Sequence, residues 1–191
     1  RAGDHLVTFL DNHDEGRFFG KVGKDLDRFK LGLGMLYTLR GIPSIYYGTE
    51  LLYSALDDHG SMRQDFAGGW PGDKTSGFTG QGLLADQREA QAYVRQLGAL
   101  RASNALIGTG NFMQFTPDMG SFAYAWYSDS EVILVLANGD DRAHRWPTER
   151  VAELGITPTT IFTDLIQGGT VTAGVELTFP AKGIRILRAA R

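Results

Sequence analysis

Apolar positions change period along the chain, and each change marks a different kind of element. Leu6-Val7-Thr8-Phe9-Leu10 is a short β-prone run that predicts a buried strand, and it emerges into the polar cluster Asp11-Asn12-His13-Asp14. Between Lys24 and Arg40 the residues Leu26, Phe29, Leu33, Leu36 and Tyr37 recur at helical spacing behind a capping Asp25. This predicts an amphipathic helix ended by Gly41 and Pro43. Gly32 and Gly34 inside it each cost about 1 kcal/mol relative to alanine, which predicts close packing of the helix onto a sheet. Ile42-Pro43-Ser44-Ile45-Tyr46-Tyr47 returns to strand length. Strand, helix and strand in this order predict a right-handed crossover joining two parallel strands.

From Gly48 to Leu84 no period survives, while Gly, Asp, Ser and Trp accumulate around Asp65-Phe66-Ala67-Gly68-Gly69-Trp70-Pro71-Gly72-Asp73. A loop of this length in a compact domain is usually functional or mobile. Asp86 to Ser103 then predicts a second helix, with Asp86 and Glu89 at capping-box spacing and Ala90, Tyr93, Val94, Leu97 and Leu100 on one stripe. Beyond it the pattern turns to short β runs at Phe112–Phe115, Phe122–Tyr127, Val132–Ala137, Thr160–Thr163, Val175–Phe179 and Ile184–Leu187, separated by turn signals. Val132–Ala137 is apolar on both faces and reads as a central strand. The expectation is an α/β portion over 1–105 and an antiparallel β-sandwich over 106–191, with the boundary near Ala105.

Composition narrows the partners. A formal net charge of −3, with 21% charged residues, leaves no basic excess for nucleic acid or an anionic membrane. A neutral partner is expected. The absence of cysteine excludes disulfides, thiolate zinc sites and a cysteine nucleophile, and leaves the compartment open. No apolar run approaches the roughly 20 residues of a membrane-spanning helix. The chain opens on Arg1-Ala2-Gly3-Asp4, so a natural N-terminus further upstream is expected.

The candidate chemistry starts at Asn12-His13-Asp14. A catalytic carboxylate is often placed where a strand ends, and the same residues also suit an ordinary turn, because Asn and Asp tolerate left-handed conformations. Arg17, three residues after Asp14, offers a charge-assisted bond to it or simple loop packing. Trp70 offers a flat apolar face to a sugar or anchors its loop under Pro71. Of Tyr46 and Tyr47, one is expected to reach a substrate while its neighbour packs against a helix. The Asp57, Asp58, Asp65 and Asp73 cluster lacks the alternating ligands and closing Glu of a calcium loop, and His5, His59 and His144 have no ligand spacing, so no metal is expected. Gly32-x-Gly34 meets Tyr37 where a dinucleotide fingerprint needs a third glycine, and no phosphate loop occurs, so no cofactor is expected either.

The order strand, Asn12-His13-Asp14, helix, Gly41-Ile42-Pro43-Ser44-Ile45-Tyr46-Tyr47-Gly48-Thr49-Glu50, long loop, helix and small β-sandwich resembles the C-terminal portion of alpha-amylase superfamily glycoside hydrolases. The run from Asp58-His59-Gly60 through Arg63-x-Asp65-Phe66-x-Gly68-Gly69-Trp70-Pro71 resembles the neopullulanase and cyclomaltodextrinase branch, particularly its bacterial polysaccharide-utilisation members, which favours a periplasmic or secreted location. The resemblance implies the last quarter of a (β/α)₈ TIM barrel ahead of the sandwich, with Asn12-His13-Asp14 ending the seventh strand and Gly41–Glu50 covering the eighth. It also implies a retaining hydrolase of α-glucans such as starch, pullulan and cyclomaltodextrins. Asp14 would then be the transition-state stabiliser and His13 a substrate-binding residue, with Asn12, Arg17, Tyr47, Asp58, Arg63 and Trp70 as further substrate contacts. Asp58 and Arg63 stand at a spacing that resembles an Asp and Arg holding a glucose hydroxyl beyond the cleaved unit; a surface salt bridge is the plainer alternative.

The family also needs a nucleophilic Asp and an acid/base Glu on earlier strands, so no turnover by this chain alone is expected. Its partners would be an α-glucan and the missing N-terminal part of the barrel, or a second copy forming a homodimer. Two further readings stay open for the sandwich: a carbohydrate-binding module using Tyr124, Trp126 and Trp146, or a structural cover for barrel helices.

Overall fold

The computed structural model describes residues 2–191. The chain forms two compact units, one comprising the stretch up to Tyr37 with Gly41–Gly98, the other Thr38–Arg40 with Ala99–Arg191.

In the first unit, β1 (Val7–Thr8) and β2 (Ile42–Pro43) pair in parallel, with Val7 opposite Ile42 and Thr8 opposite Pro43. The Ile42 and Ser44 N–H groups donate to Leu6 and Thr8 carbonyls, both at 2.8 Å. These strands are shorter than the five- and six-residue runs expected from the sequence. Beyond Thr8 the chain leaves the ladder, and the next carboxylate, Asp11, bonds elsewhere.

Helix α1 (Phe18–Lys21) and helix α2 (Leu26–Thr38) follow. Asp25 caps α2 as expected, its Oδ1 accepting from the Asp27 N–H at 3.0 Å and the Arg28 N–H at 3.1 Å. The role expected of Gly32 is corrected. A Cβ there would lie 2.3 Å from Phe18 Cζ, so the glycine makes room for an aromatic ring rather than for a sheet. Phe18 and Phe19 in turn pack on the buried Phe29, with ring centroids 5.8 and 5.7 Å away.

The stretch after β2 is more ordered than its lost periodicity implied. It holds a 3₁₀ turn at Thr49–Leu51 and helix α3 (His59–Met62), and closes on a small core of Leu51, Tyr53 and Leu83 with Phe66 and Ala67 against it. Tyr53 organises this loop. Its hydroxyl donates to the Asp65 carbonyl at 3.1 Å and accepts from the Ala67 N–H at 3.0 Å.

Helix α4 (Ala85–Ser103) begins earlier than the Asp86–Glu89 spacing predicted. Gln87 Oε1 accepts from the Leu84 N–H at 3.0 Å, the reciprocal half of a capping box set two residues earlier. Glu89 is thereby free to pair with Lys30 of α2.

The second unit is an antiparallel β domain. Strands β3 (Asn111–Gln114), β4 (Ser121–Tyr127), β5 (Glu131–Asn138), β7 (Ile161–Asp164), β8 (Thr170–Thr172) and β10 (Gly183–Ala190) form one sheet in the order β3-β4-β5-β10-β7-β8. Strands β6 (His144–Pro147) and β9 (Glu176–Phe179) form a second, two-stranded sheet. Between the sheets lies a core of Leu134, Leu136, Phe162 and Leu187 from the first and Trp146, Leu177 and Phe179 from the second.

Strand β5 sits between β4 and β10, as its two apolar faces required. The sequence pattern did not pick out β6 and β8. One ends in a proline, which a strand end tolerates, and the other carries a single apolar residue between two threonines. Val175, the first residue of the run that predicts this strand, lies just outside β9 and is exposed.

The three proposed sugar platforms of this domain are buried. Trp126 Nε1 donates to the Thr38 carbonyl at 2.6 Å, and Tyr124 Oη shares a 2.6 Å hydrogen bond with Thr38 Oγ1. Trp146 packs on Phe179 at 4.6 Å between ring centroids, with the Arg150 guanidinium 3.6 Å above its ring. None of the three presents a face on which a pyranose ring could stack.

Candidate functional site

The polar cluster at the exit of β1 sorts into a buried and an exposed carboxylate three residues apart. Asp11 turns inward and is 3% exposed. It accepts from the Phe18 N–H at 2.9 Å, closing the start of α1, and from Thr49 Oγ1 at 2.9 and 3.0 Å. Its third neighbour is Arg17, whose Nε lies 3.6 Å from Asp11 Oδ2.

Arg17 is fully buried and spans the unit. Its two terminal nitrogens donate to the Tyr47 carbonyl and, at 3.4 Å, to the Met62 carbonyl. The guanidinium lies 4.4 Å from the Tyr46 ring centroid, 5.4 Å from that of Tyr53 and 5.7 Å from that of Tyr47. A charge this deep is stable only when paired and hydrogen-bonded. Arg17 therefore serves Asp11 and the loops around it, not Asp14. The local chain path depends on this closeness: the Arg17 N–H donates to the Ala55 carbonyl at 2.7 Å, and a Cβ on Gly20 would lie 2.2 Å from the Ser54 carbonyl oxygen.

Asp14 turns outward. Asn12 Oδ1 accepts from the Asp14 N–H at 2.8 Å, an Asx turn that fixes the segment and leaves the Asp14 side chain 63% exposed. Its two oxygens are held from opposite sides, by His13 Nε2 at 3.0 Å and Arg63 Nη2 at 2.9 Å. Arg63 Nε also donates to the His13 carbonyl at 3.0 Å, so one guanidinium ties both residues together.

Asn12, His13, Asp14 and Arg63 thus form one constellation. Asp58 does not join them through its carboxylate. It caps α3, its Oδ2 accepting from the Ser61 N–H at 2.7 Å and the Ser61 hydroxyl at 2.5 Å, and these bonds hold its pKa below the usual carboxylate range. Tyr47 is exposed and packs against Tyr46 with its ring tilted, 4.6 Å between centroids. The hydrogen bond to Tyr46, with some burial, raises its phenol pKa. Trp70 stands on the 68–73 turn and is exposed.

Glu50 is raised above the ordinary Glu pKa, chiefly by burial, and Tyr37 is raised by burial and, to a lesser degree, by the Glu50 charge. Among the described residues no group of three or more His, Asp or Glu is arranged to hold a metal ion.

Sequence reasoning gave no role to Asp11 and Thr49, which support the exposed cluster. They lie 38 residues apart and meet only through folding. The one signal in the sequence was a second Asp at the strand end, facing the other way by alternation.

The comparisons agree with this architecture. The profile described as "Cyclo-malto-dextrinase C-terminal domain" matches residues 112–188. A cyclomaltodextrin glucanotransferase from Geobacillus stearothermophilus is 28% identical over 174 residues, covering 88% of this chain and 21% of the relative. A cyclomaltodextrinase from a Bacillus species is 27% identical over 146 residues, covering 75% of this chain and 24% of the relative. The chain therefore spans about a fifth to a quarter of these relatives. Among solved structures, the alpha-amylase of Geobacillus thermoleovorans complexed with acarbose superposes with a TM-score of 0.75 at 21% identity, over 98% of this chain and 39% of that one. The chain is similar to the C-terminal portion of alpha-amylase superfamily glycoside hydrolases, and its β domain matches the C-terminal domain of cyclo-malto-dextrinases over residues 112–188.

Proposed function

We propose that this chain supplies one wall of the active site of a retaining α-glucan hydrolase of the neopullulanase and cyclomaltodextrinase branch, with Asp14 as its transition-state stabiliser. The observation that carries the reading is the exposed Asp14, fixed by the Asn12 turn and held between His13 and Arg63 just beyond a parallel strand. In a (β/α)₈ barrel the active site lies at the C-terminal ends of the strands, and β1 and β2 would be its seventh and eighth. The domain division in this reading is 1–105 for the barrel portion and 106–191 for the β domain. Exposed Leu6, Val7, Phe9 and Ile42 around the parallel pair support a larger sheet, since parallel strands are buried on both faces.

As the glycosidic bond breaks, positive charge develops at the anomeric carbon, and hydrogen bonds to the adjacent hydroxyl strengthen. An ionised Asp14 accepts those bonds and opposes the charge. Arg63 and His13 set its direction in advance, so little reorientation is needed at the moment of reaction. His13 donates to a neighbouring hydroxyl. Asp11 does not serve as nucleophile or acid in this scheme, because Arg17, Thr49 and the Phe18 amide occupy it. Those two roles fall to carboxyls outside this chain.

Calorimetric titration of the 191-residue chain with maltoheptaose tests the reading. Binding is expected, weakened about tenfold or more by Asp14→Asn and by Arg63→Ala, with no reducing sugar released. Sustained hydrolysis by the chain alone would overturn this division of labour, and equal affinity of the Asp14→Asn variant would remove Asp14 from the site.

A further inference from the structure

Arg17 is arranged for more than neutralising Asp11. The Asp11 carboxylate is already bonded by the Phe18 N–H and the Thr49 hydroxyl, and Arg17 Nε stands 3.6 Å from its Oδ2, with no hydrogen bond of its own among the described residues. The hydrogen bonds of this fully buried guanidinium go instead to two main-chain carbonyls on separate stretches of chain, those of Tyr47 and Met62. Asp11 balances the charge, and the fork is spent on the backbone.

Each of these carbonyls leads directly to a residue of the candidate site. Met62 is the last residue of α3, where carbonyls have no partner within the helix, and Arg63 follows at once, its N–H donating to the His59 and Gly60 carbonyls at 3.2 and 3.1 Å. Asp58 caps the other end of α3, so the short helix is held at both ends and Arg63 leaves it aimed at the His13 carbonyl and Asp14 Oδ1. The Tyr47 carbonyl belongs to the residue whose own ring is exposed beside Tyr46, and the guanidinium lies 4.4 Å from the Tyr46 centroid. One buried cation thus reaches the backbone behind both Arg63 and Tyr47.

We infer that Arg17 is a positioning residue that fixes Arg63, and through it Asp14, in one arrangement with the Tyr47 ring. It does not itself touch a substrate. Lysine is not a substitute: a guanidinium points its nitrogens in three directions of one plane, whereas an ammonium group is a single point charge that cannot serve both carbonyls while facing Asp11. What the arrangement is for rests on the α-glucan reading above; the coupling of Arg63 to Tyr47 stands on the contacts alone.

Nuclear magnetic resonance of the full 191-residue chain reads that coupling without a ligand. In Arg17→Lys the Arg63 Nε–H is expected to exchange with water at least about tenfold faster, and the His13, Asp14 and Tyr47 amide signals to shift together. Leu33→Ala, which opens a cavity in α2, lowers the urea midpoint and leaves the Arg63 Nε–H as in the parent; equal loss there would make the effect one of general destabilisation and overturn the inference. A second variant covers the case in which Arg17→Lys does not fold. Asp11→Asn combined with Arg17→Met removes both members of the buried pair, a change that often leaves stability unchanged or higher, and is expected to release Arg63 and Tyr47 alike. Parental signals for either residue in the folded variant would overturn the inference.

Calorimetry with maltoheptaose supplies the readout that a merely structural role would not move. Arg17→Lys is expected to weaken binding about tenfold, and combining it with Asp14→Asn to cost far less than the product of the two single losses, because Arg17 acts largely through Asp14. Losses that multiply would reduce Arg17 to a stabilising residue and overturn its positioning role. If no α-glucan binds, the α-glucan reading fails, and the resonance measurements still decide whether Arg17 fixes Arg63 and Tyr47.

Discussion

Each of the two units is held together internally by a different kind of interaction. In the β domain the strands β5 and β10 run antiparallel through the middle of a six-stranded sheet, and Ile133, Leu134, Val135, Leu136 and Ile186 are all fully buried. In the other unit the strands β1 and β2 are equally apolar, yet Leu6, Val7, Phe9 and Ile42 face solvent. What organises the chain around that strand pair is polar: Asp11, Arg17 and Thr49, buried together next to the exposed Asn12-His13-Asp14 cluster. One unit builds its sheet around a hydrophobic core; the other sets an exposed polar cluster beside a buried ion pair and leaves its short strands bare. A segment with few buried apolar contacts opens locally, whereas a central strand opens only with the whole domain.

Native-state hydrogen exchange gives the largest expected contrast. The amides of Ile133–Leu136 and Ile186 exchange only through global unfolding. The Ile42 and Ser44 amides, which close the β1–β2 ladder, exchange at least about a thousandfold faster. Equal protection of the two ladders would dissolve the comparison.

Substitutions then separate the two kinds of support. Asp11→Ala leaves Arg17 buried without its carboxylate and is expected to cost about 3–5 kcal/mol, whereas Asp14→Ala, three residues on, stays within about 0.5 kcal/mol. In the β domain, Leu134→Ala costs about 2–5 kcal/mol by the cavity it creates, and Val7→Ser on the bare strand stays within about 0.5 kcal/mol while reducing self-association. Urea midpoints supply the stabilities and light scattering the association. If Asp14→Ala proves as costly as Asp11→Ala, the exposed cluster is a structural hub and its functional reading loses its basis.

The same comparison explains how much the sequence revealed. Local chemistry was legible: the Asp25 cap of α2, the parallel order of β1 and β2, and the central place of β5 all follow from spacing and period. So was the position of Asn12-His13-Asp14. What period could not reach were contacts closed by the fold. Arg63 meets Asp14 across 49 residues and Thr49 meets Asp11 across 38, so spacing alone left Arg17 between a bond to Asp14 and loop packing, where the fold selects the loop and Asp11, and gave Asp58 a substrate role that its own helix cap competes for. The Gly32 assignment failed for the same reason. A glycine reports that something comes close, and only the fold says that the visitor is Phe18.

The smallest effect concerns proton linkage, where two carboxylates of the polar unit pull in opposite directions. Burial raises Glu50 above its ordinary value. Between the unfolded pKa, about 4.3, and that higher folded value, the native state binds more protons than the unfolded one. Glu50 therefore makes stability fall as pH rises through the window. Asp58 is the reverse case: the Ser61 bonds lower its folded pKa, so its contribution is present above the unfolded value, about 3.9, and is lost as pH falls through the lower folded value. Subtracting the stability profile of a Glu50→Gln variant from that of the parent isolates the first effect. The difference is expected to grow in the variant's favour from pH 4 upward and then level off, because the amide keeps the side chain's shape without the buried charge. Parallel profiles over that range would mean that Glu50 gains as much from its hydrogen bonds and from Arg17 as it loses to burial, and the buried polar layer would then carry no net electrostatic cost.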